Sequence, residues 1–332
     1  SFVTMSKVPS NNSDPQRPSR DLVRALDHLS ALERGEVEER YGVAPSLFSR
    51  FGLFPLTAPD EATPMWTRKN PFGAVTITRG VQLDDEGNPQ LARYPSGGIP
   101  RLFLVDLATE VSRALKAGAE HPEVIELTST LNRYTTQRLG LRKGSQNRAV
   151  LAQVIATARA TITFSQIDTD AATGRRKAVA WDAPKVADAY ELWLPRDEQE
   201  ALAGFEPTIT VSRGFVQVVE EDDGVPVRRD LLAQLVGKPM AFDALNWLGN
   251  VTYWLHRSGK REAFYDWPYL FATVTHDYAT LNNFTIKWKA ALTEAMRYYP
   301  EGRVEIVRGT RTRPGGIKVS RSPLLIEPRR AG

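Results

Sequence analysis

The residues best suited to recognition chemistry are Asn282, Asn283, Thr285 and Ile286. They open a stretch in which Phe284, Trp288, Leu292, Ala295 and Tyr299 recur three or four positions apart. That spacing predicts a helix whose large side chains form a buried stripe, so Phe284 and Trp288 are core residues rather than a platform for stacked bases. The Asn, Thr and Ile fall on other faces. An Asn amide bonds bidentately to adenine, and Thr or Ile packs on a thymine methyl. Asn at a helix start also serves as a cap, and for Asn282 and Asn283 both roles stay open at this level. Lys287, Lys289 and Arg297 suit phosphate oxygens.

A second set, Ser145, Gln146, Asn147 and Arg148, opens another expected helix, with Arg142 and Lys143 just before it. Free N–H groups at a helix start also hold phosphate. Two Gly-containing loops add Arg175, Arg176 and Lys177, and Arg308, Arg311 and Arg313. Arginines on loops give backbone or minor-groove contacts more readily than base reading.

The surrounding charge is segregated. Leu127 to Ile167 holds six basic residues (Arg133, Arg138, Arg142, Lys143, Arg148, Arg159) and no acid. Arg297 to Arg330 holds nine Arg or Lys against Glu301, Glu305 and Glu327. Together they carry about +12 on a chain of formal net charge +4, which leaves about −8 elsewhere. Such segregation is the electrostatic footprint of a polyanion binder.

Composition removes most catalytic classes. Without cysteine there is no disulfide, thiolate or Cys-ligated zinc, which fits a reducing cytoplasm. His28, His121, His256 and His276 are too far apart for a local metal pair, and none has Arg three residues on. A relaxase, a rolling-circle initiator and a tyrosine recombinase are therefore disfavoured, and Tyr298 and Tyr299 are expected to pack. No Gly-x-x-x-x-Gly-Lys-Ser/Thr loop is present, and the consecutive acids Glu220 to Asp223 suit a turn better than a two-metal site. The expectation is no enzyme, no metal and no cofactor. No apolar run approaches the roughly 20 residues of a membrane span. Ser1–Pro18 has no apolar core of a signal peptide, and Met5 is the expected natural start.

The elements that must position these residues read twice in the same order. In the first half the pattern predicts a connector over Phe51–Pro64, a β-hairpin over about 72–94, and a helix Arg101–Lys116. A strand Val124–Leu127, a helix 130–139 capped by Thr128 or Ser129, a helix Ser145–Ala158, and strands Thr161–Ile167 and Lys177–Trp181 follow. In the second half come helix Met240–His256, a helix Trp267–Thr275 capped by Asp266, and helix Asn282–Tyr298. Strands Arg303–Val307 and Ile317–Ser320 then flank an arginine loop. Phe215–Val219 suits strand or helix equally. The fold class is α+β: two tandem winged-helix domains with an N-terminal helical extension. The divisions are 1–50, 51–195, a linker 196–204, and 205–332. The extension includes an amphipathic helix Ser19–Arg40, which either contacts a partner or second copy or packs on the first domain.

Several collinear stretches resemble the plasmid-encoded RepA-type replication initiators. They are Trp66-Thr-Arg68-Lys-Asn70, Gly98-Ile-Pro100-Arg101-Leu102 with Leu107-Ala108-Thr109-Glu110, Pro239-Met-Ala-Phe-Asp243-Ala-Leu-Asn-Trp247-Leu248, Asn283-Phe284-Thr-Ile-Lys287-Trp288 with Tyr299-Pro300, and Ser322-Pro323. The resemblance covers about residues 50–326. It implies binding of repeated double-stranded sites in an origin, local melting, recruitment of host initiator and replicative helicase, possible homodimers, and no catalysis. A transcriptional repressor of the same architecture is the alternative. Ala149, Val150 and Ala152 stand where the family has more polar residues, which assigns sequence reading to the C-terminal helix and backbone grip to the first unit.

Overall fold

The structure, a computed structural model, describes residues 40–45, 53–63, 65–70, 73–84, 86–128, 130–141, 147–169, 176–183, 185–192, 207–221, 224–274 and 278–326. The expected helix Ser19–Arg40, apart from Arg40, and the whole 196–204 linker lie outside them, as do His28 and His276. The fold is α+β, with helices interleaved among small antiparallel sheets. Among the described residues no helix is long and apolar enough to cross a membrane.

Among the described residues the first six α-helices are α1 (Gly98–Lys116), α2 (Leu131–Arg133), α3 (Asn147–Arg159), α4 (Arg213–Glu221), α5 (Arg229–Gln234) and α6 (Pro239–Arg257), and α6 organises the second half. Pro239 occupies its first turn, where a missing N–H costs nothing. Strand Glu262–Asp266 follows, then α7 (Trp267–Thr273) and α8 (Leu281–Met296). Strands Arg303–Val307 and Gly316–Ser320 close the unit, and the last strand lies between the other two. Its register places Ile317 opposite both Tyr265 and Ile306, and Val319 opposite Ala263 and Val304. Ile317 and Val319 thus line one face, and both are fully buried. The Asp266 cap acts as read: its carboxylate accepts the Tyr269 N–H at 2.7 Å.

The first half departs from that plan in its sheets. α1 is buried nearly all round from Gly98 to Ser112, as a central helix must be. The strands Thr161–Thr169 and Arg176–Ala183 pair as expected, but the sheet continues through Gly73–Thr78 to Met65–Asn70. The expected 72–94 hairpin is therefore two structures. Residues 73–78 join this sheet, and only Val81–Leu83 and Pro89–Leu91 pair around the turn. The turn chemistry was legible, since Asp84 accepts the N–H groups of Glu86 and Asn88 at 3.0 and 2.7 Å. Strand Val124–Glu126 pairs instead with Thr208–Val211, which also pairs with Ala187–Glu191. Phe215–Val219 is helical, within α4. The cap before α2 is Thr130, not Thr128 or Ser129: its hydroxyl accepts the Arg133 N–H at 3.2 Å.

Gly42 lies within a short strand that ends just before Pro45. Tyr41–Ala44 pairs antiparallel with Val225–Arg228. A Cβ on Gly42 would lie 2.6 Å from Thr109 Oγ1 and 2.7 Å from the Arg229 stem, so only glycine lets this strand approach α1. Gly42→Val is expected to cost about 1–3 kcal/mol through overpacking, read as a fall in the denaturant midpoint with an unchanged m-value.

Candidate nucleic-acid interface

At the start of α8 the capping question resolves. The Thr280 hydroxyl accepts the Asn283 N–H at 3.2 Å, so Thr280 is the cap. Asn282 and Asn283 are both exposed, and Thr285 is half-buried. Ile286, a large apolar residue, is 57% exposed, while Phe284 and Trp288 are fully buried and stacked with ring centroids 5.8 Å apart. The helix thus presents two amides and one branched apolar side chain to solvent, held rigid by the aromatic core beneath them.

The loop between the last two strands is linked to this helix through Trp267. Its base is narrow: a Cβ on Gly309 would lie 2.8 Å from the Gly315 nitrogen. Thr310 folds its tip, accepting the Arg313 N–H on its hydroxyl at 3.1 Å and donating its own N–H to the Arg313 carbonyl at 2.8 Å. Arg308, Arg311 and Arg313 are all exposed. Trp267 connects loop and helix, because its N–H donates to the Gly315 carbonyl at 3.0 Å and the Lys289 ammonium lies 5.2 Å from its ring centroid. Lys287 is exposed on the same helix.

Arg297 does not belong to this cluster. It lies at the far end of α8, roughly 20 Å along the axis from Asn282, and pairs with Glu294 at 3.1 Å. Glu294 is held below the ordinary carboxylate range first by its hydrogen bond from Lys238 and then by the Arg297 charge. Lys318 is likewise engaged: its bond to Glu262, at 3.0 Å, lifts the ammonium above its ordinary value.

In the first unit Arg142, Lys143, Ser145, Gln146 and Arg175 lie outside the described residues. Arg176 and Lys177 stand in the strand Arg176–Ala183. Arg148 is exposed on α3, whereas Asn147 is half-buried and accepts the Thr135 hydroxyl at 3.1 Å, tying α3 to the preceding helix. Two cations of the acid-free tract face inward. Arg159 lies over the Tyr190 ring at 4.7 Å.

Arg138 belongs to a buried network that sequence reasoning missed. Asp106, on α1 and fully buried, accepts from Arg138 Nε at 3.0 and 3.1 Å, from Arg229 Nη2 at 2.7 Å, and from the Tyr134 hydroxyl at 3.1 Å. Burial works to lower the Arg138 pKa, but the Asp106 carboxylate and its neighbours outweigh it and the net is a rise. Burial first, and then the Asp106 charge, push the Tyr134 phenol well above its ordinary value. A π-helical turn, Tyr134–Arg138, brings both side chains to the carboxylate. The signal available in the sequence was one carboxylate inside an apolar helix, a placement that demands partners.

The remaining expected packing roles are met where they are described. The Tyr299 hydroxyl contacts Ser322 Oγ at 3.1 Å and donates to the Pro323 carbonyl. Nε2 of the buried His256 lies 2.7 Å from the Ser322 carbonyl oxygen. Among the described residues no group of three or more His, Asp or Glu is placed to hold a metal ion.

No protein-family model and no curated protein matches the chain. Two crystal structures of domains 2 and 3 of RctB do, one of them a selenomethionine derivative. The derivative has a TM-score of 0.44 at 8% identity and covers 83% of this chain and 98% of its own. The second has a TM-score of 0.42 at 8% identity and covers 88% and 96%. Likenesses this distant carry no functional inference.

Proposed function

We propose that this chain is a sequence-specific binder of double-stranded DNA that acts as a plasmid replication initiator without catalytic chemistry of its own. The single observation behind this reading is the exposed start of α8, where Thr280 takes the cap and leaves Asn282, Asn283 and Ile286 facing solvent. Helix α6, the strand Glu262–Asp266, α7, α8 and the terminal hairpin form a winged helix in this reading. α8 enters the major groove, and the loop carrying Arg308, Arg311 and Arg313 is the wing. The first unit, in the division 51–195 and 205–332, is its counterpart and grips backbone through Arg148 and the basic residues before α3. Binding to origin repeats, melting beside them and recruitment of host initiator and helicase follow from the family resemblance.

Footprinting on DNA flanking the gene tests the reading, and protection of repeated sites is the expected result. Asn283→Ala and Ile286→Ala should each reduce discrimination between cognate and scrambled duplex by about 1–3 kcal/mol, measured by competition. Equal loss on both duplexes would remove α8 as the reader. A repressor would give the same footprint, but would not sustain a plasmid whose own initiator gene is deleted.

A further inference from the structure

Beside the Asp106 network lies a partly open cavity of about 210 Å³, lined by Glu110, Arg113, Thr128, Gln137, Arg138 and Arg229. Three guanidiniums meet there. Glu110 lies 2.8 Å from Arg113 Nη1 and 3.8 Å from Arg138 Nη2, the second too long for a hydrogen bond. Arg138 Nη2 and Arg229 Nε are both buried donors without a hydrogen-bond partner, and the Arg229 side chain is only 5% exposed. A buried guanidinium N–H left unpaired is costly, and native structures meet such donors with ordered water or a bound acceptor. With Asp106 and Glu110 set against three arginines, the site keeps one positive charge beyond its own carboxylates.

We propose that this cavity binds a phosphate oxyanion. Arg229 Nε and Arg138 Nη2 donate to it from beneath and Arg113 from the rim. The forked, permanently charged guanidinium suits phosphate oxygens, and the partly open mouth admits the group. Glu110 is the counterweight, because it holds Arg113 and adds negative charge at the rim. The site is independent of the proposed reading face on α8. Its phosphate is either free or part of a DNA backbone.

Inorganic phosphate titrated calorimetrically into the full chain, against chloride at constant ionic strength, tests the site. Saturation in roughly the millimolar range is expected for a few charge-assisted bonds. Arg138 and Arg229 support the fold, so the variants are at the rim, with folding checked by thermal melts. Glu110→Gln should tighten phosphate about tenfold and Arg113→Gln should weaken it about tenfold, since each changes one charge at a half-exposed contact. Opposite shifts support the site. No saturable heat in any of the three proteins, or shifts of the same sign, would overturn it. A duplex arm separates the sources. If duplex DNA displaces the phosphate and Arg113→Gln weakens duplex binding, the ligand is a backbone phosphate. If both bind together, the site serves free phosphate.

Discussion

Replacing Asp106 with asparagine is expected to destabilise the chain by about 3–5 kcal/mol. The side chain keeps its shape, but two guanidiniums then share no carboxylate in a site where Asp106 is fully buried. The loss reaches several elements together. Arg138 also donates to the Glu126 carbonyl at 2.7 Å, and Arg229 to the Arg138 carbonyl at 2.7 Å, so α1, the π-helical turn and α5 are joined through one carboxylate. Native stabilities are only about 5–15 kcal/mol, so the variant should populate partly unfolded states under mild denaturant. Chemical denaturation of Asp106→Asn, Arg229→Met and the double variant decides the cause. The double should cost less than the sum of the singles, because removing Arg229 removes an unpaired buried charge. Additive losses, or a single loss below about 1 kcal/mol, would show that ordinary packing joins these elements. The sign with pH follows from Tyr134. Its folded pKa is raised above the ordinary 10.0, so its contribution is complete below pH 10 and is lost as pH rises through the folded value.

What could be read from the sequence and what could not divide along the range of the interactions. The last unit was legible nearly residue by residue because its signals are local. Asp266 caps α7, Phe284 and Trp288 keep helical spacing, and glycines mark the loop, but the cap of α8 is Thr280 rather than Asn282 or Asn283. The pairings of Tyr41–Ala44 with Val225–Arg228 and of Val124–Glu126 with Thr208–Val211 were not legible. Each joins strands of three or four residues that lie far apart in the chain, and so short a run of β-propensity does not specify a partner. The same limit affected charge. Arg138 counts as free cation in a tally of the tract Leu127–Ile167, but its neutralising carboxylate comes from α1, 32 residues away in the chain. A basic tract read in sequence is an upper bound on the field that reaches a ligand. The C-terminal loop escapes this discount, since Arg308, Arg311 and Arg313 are all exposed.

That contrast gives the second large expectation. If the interface neutralises about 6–10 phosphates, affinity for cognate duplex should fall roughly 10³–10⁵-fold between 50 and 200 mM salt. Arg308→Ala, Arg311→Ala and Arg313→Ala combined should flatten the slope of log affinity against log salt by about 2–3, since each phosphate contact contributes about 0.9. The loss should be nearly equal on cognate and scrambled duplex, because loop arginines add affinity without reading bases. Folding should be untouched: Thr310 holds the turn through its hydroxyl and the Arg313 main chain, and both survive in the triple variant. Arg297→Ala supplies the comparison. It pairs with Glu294 at the far end of α8, so its removal should change the slope by well under one contact. Fluorescence anisotropy across a salt series measures the unaltered chain, the triple variant and Arg297→Ala on both cognate and scrambled duplex. An unchanged slope in the triple variant would place the phosphate contacts elsewhere. A loss confined to cognate duplex would make the loop a base reader and demote Asn283 and Ile286.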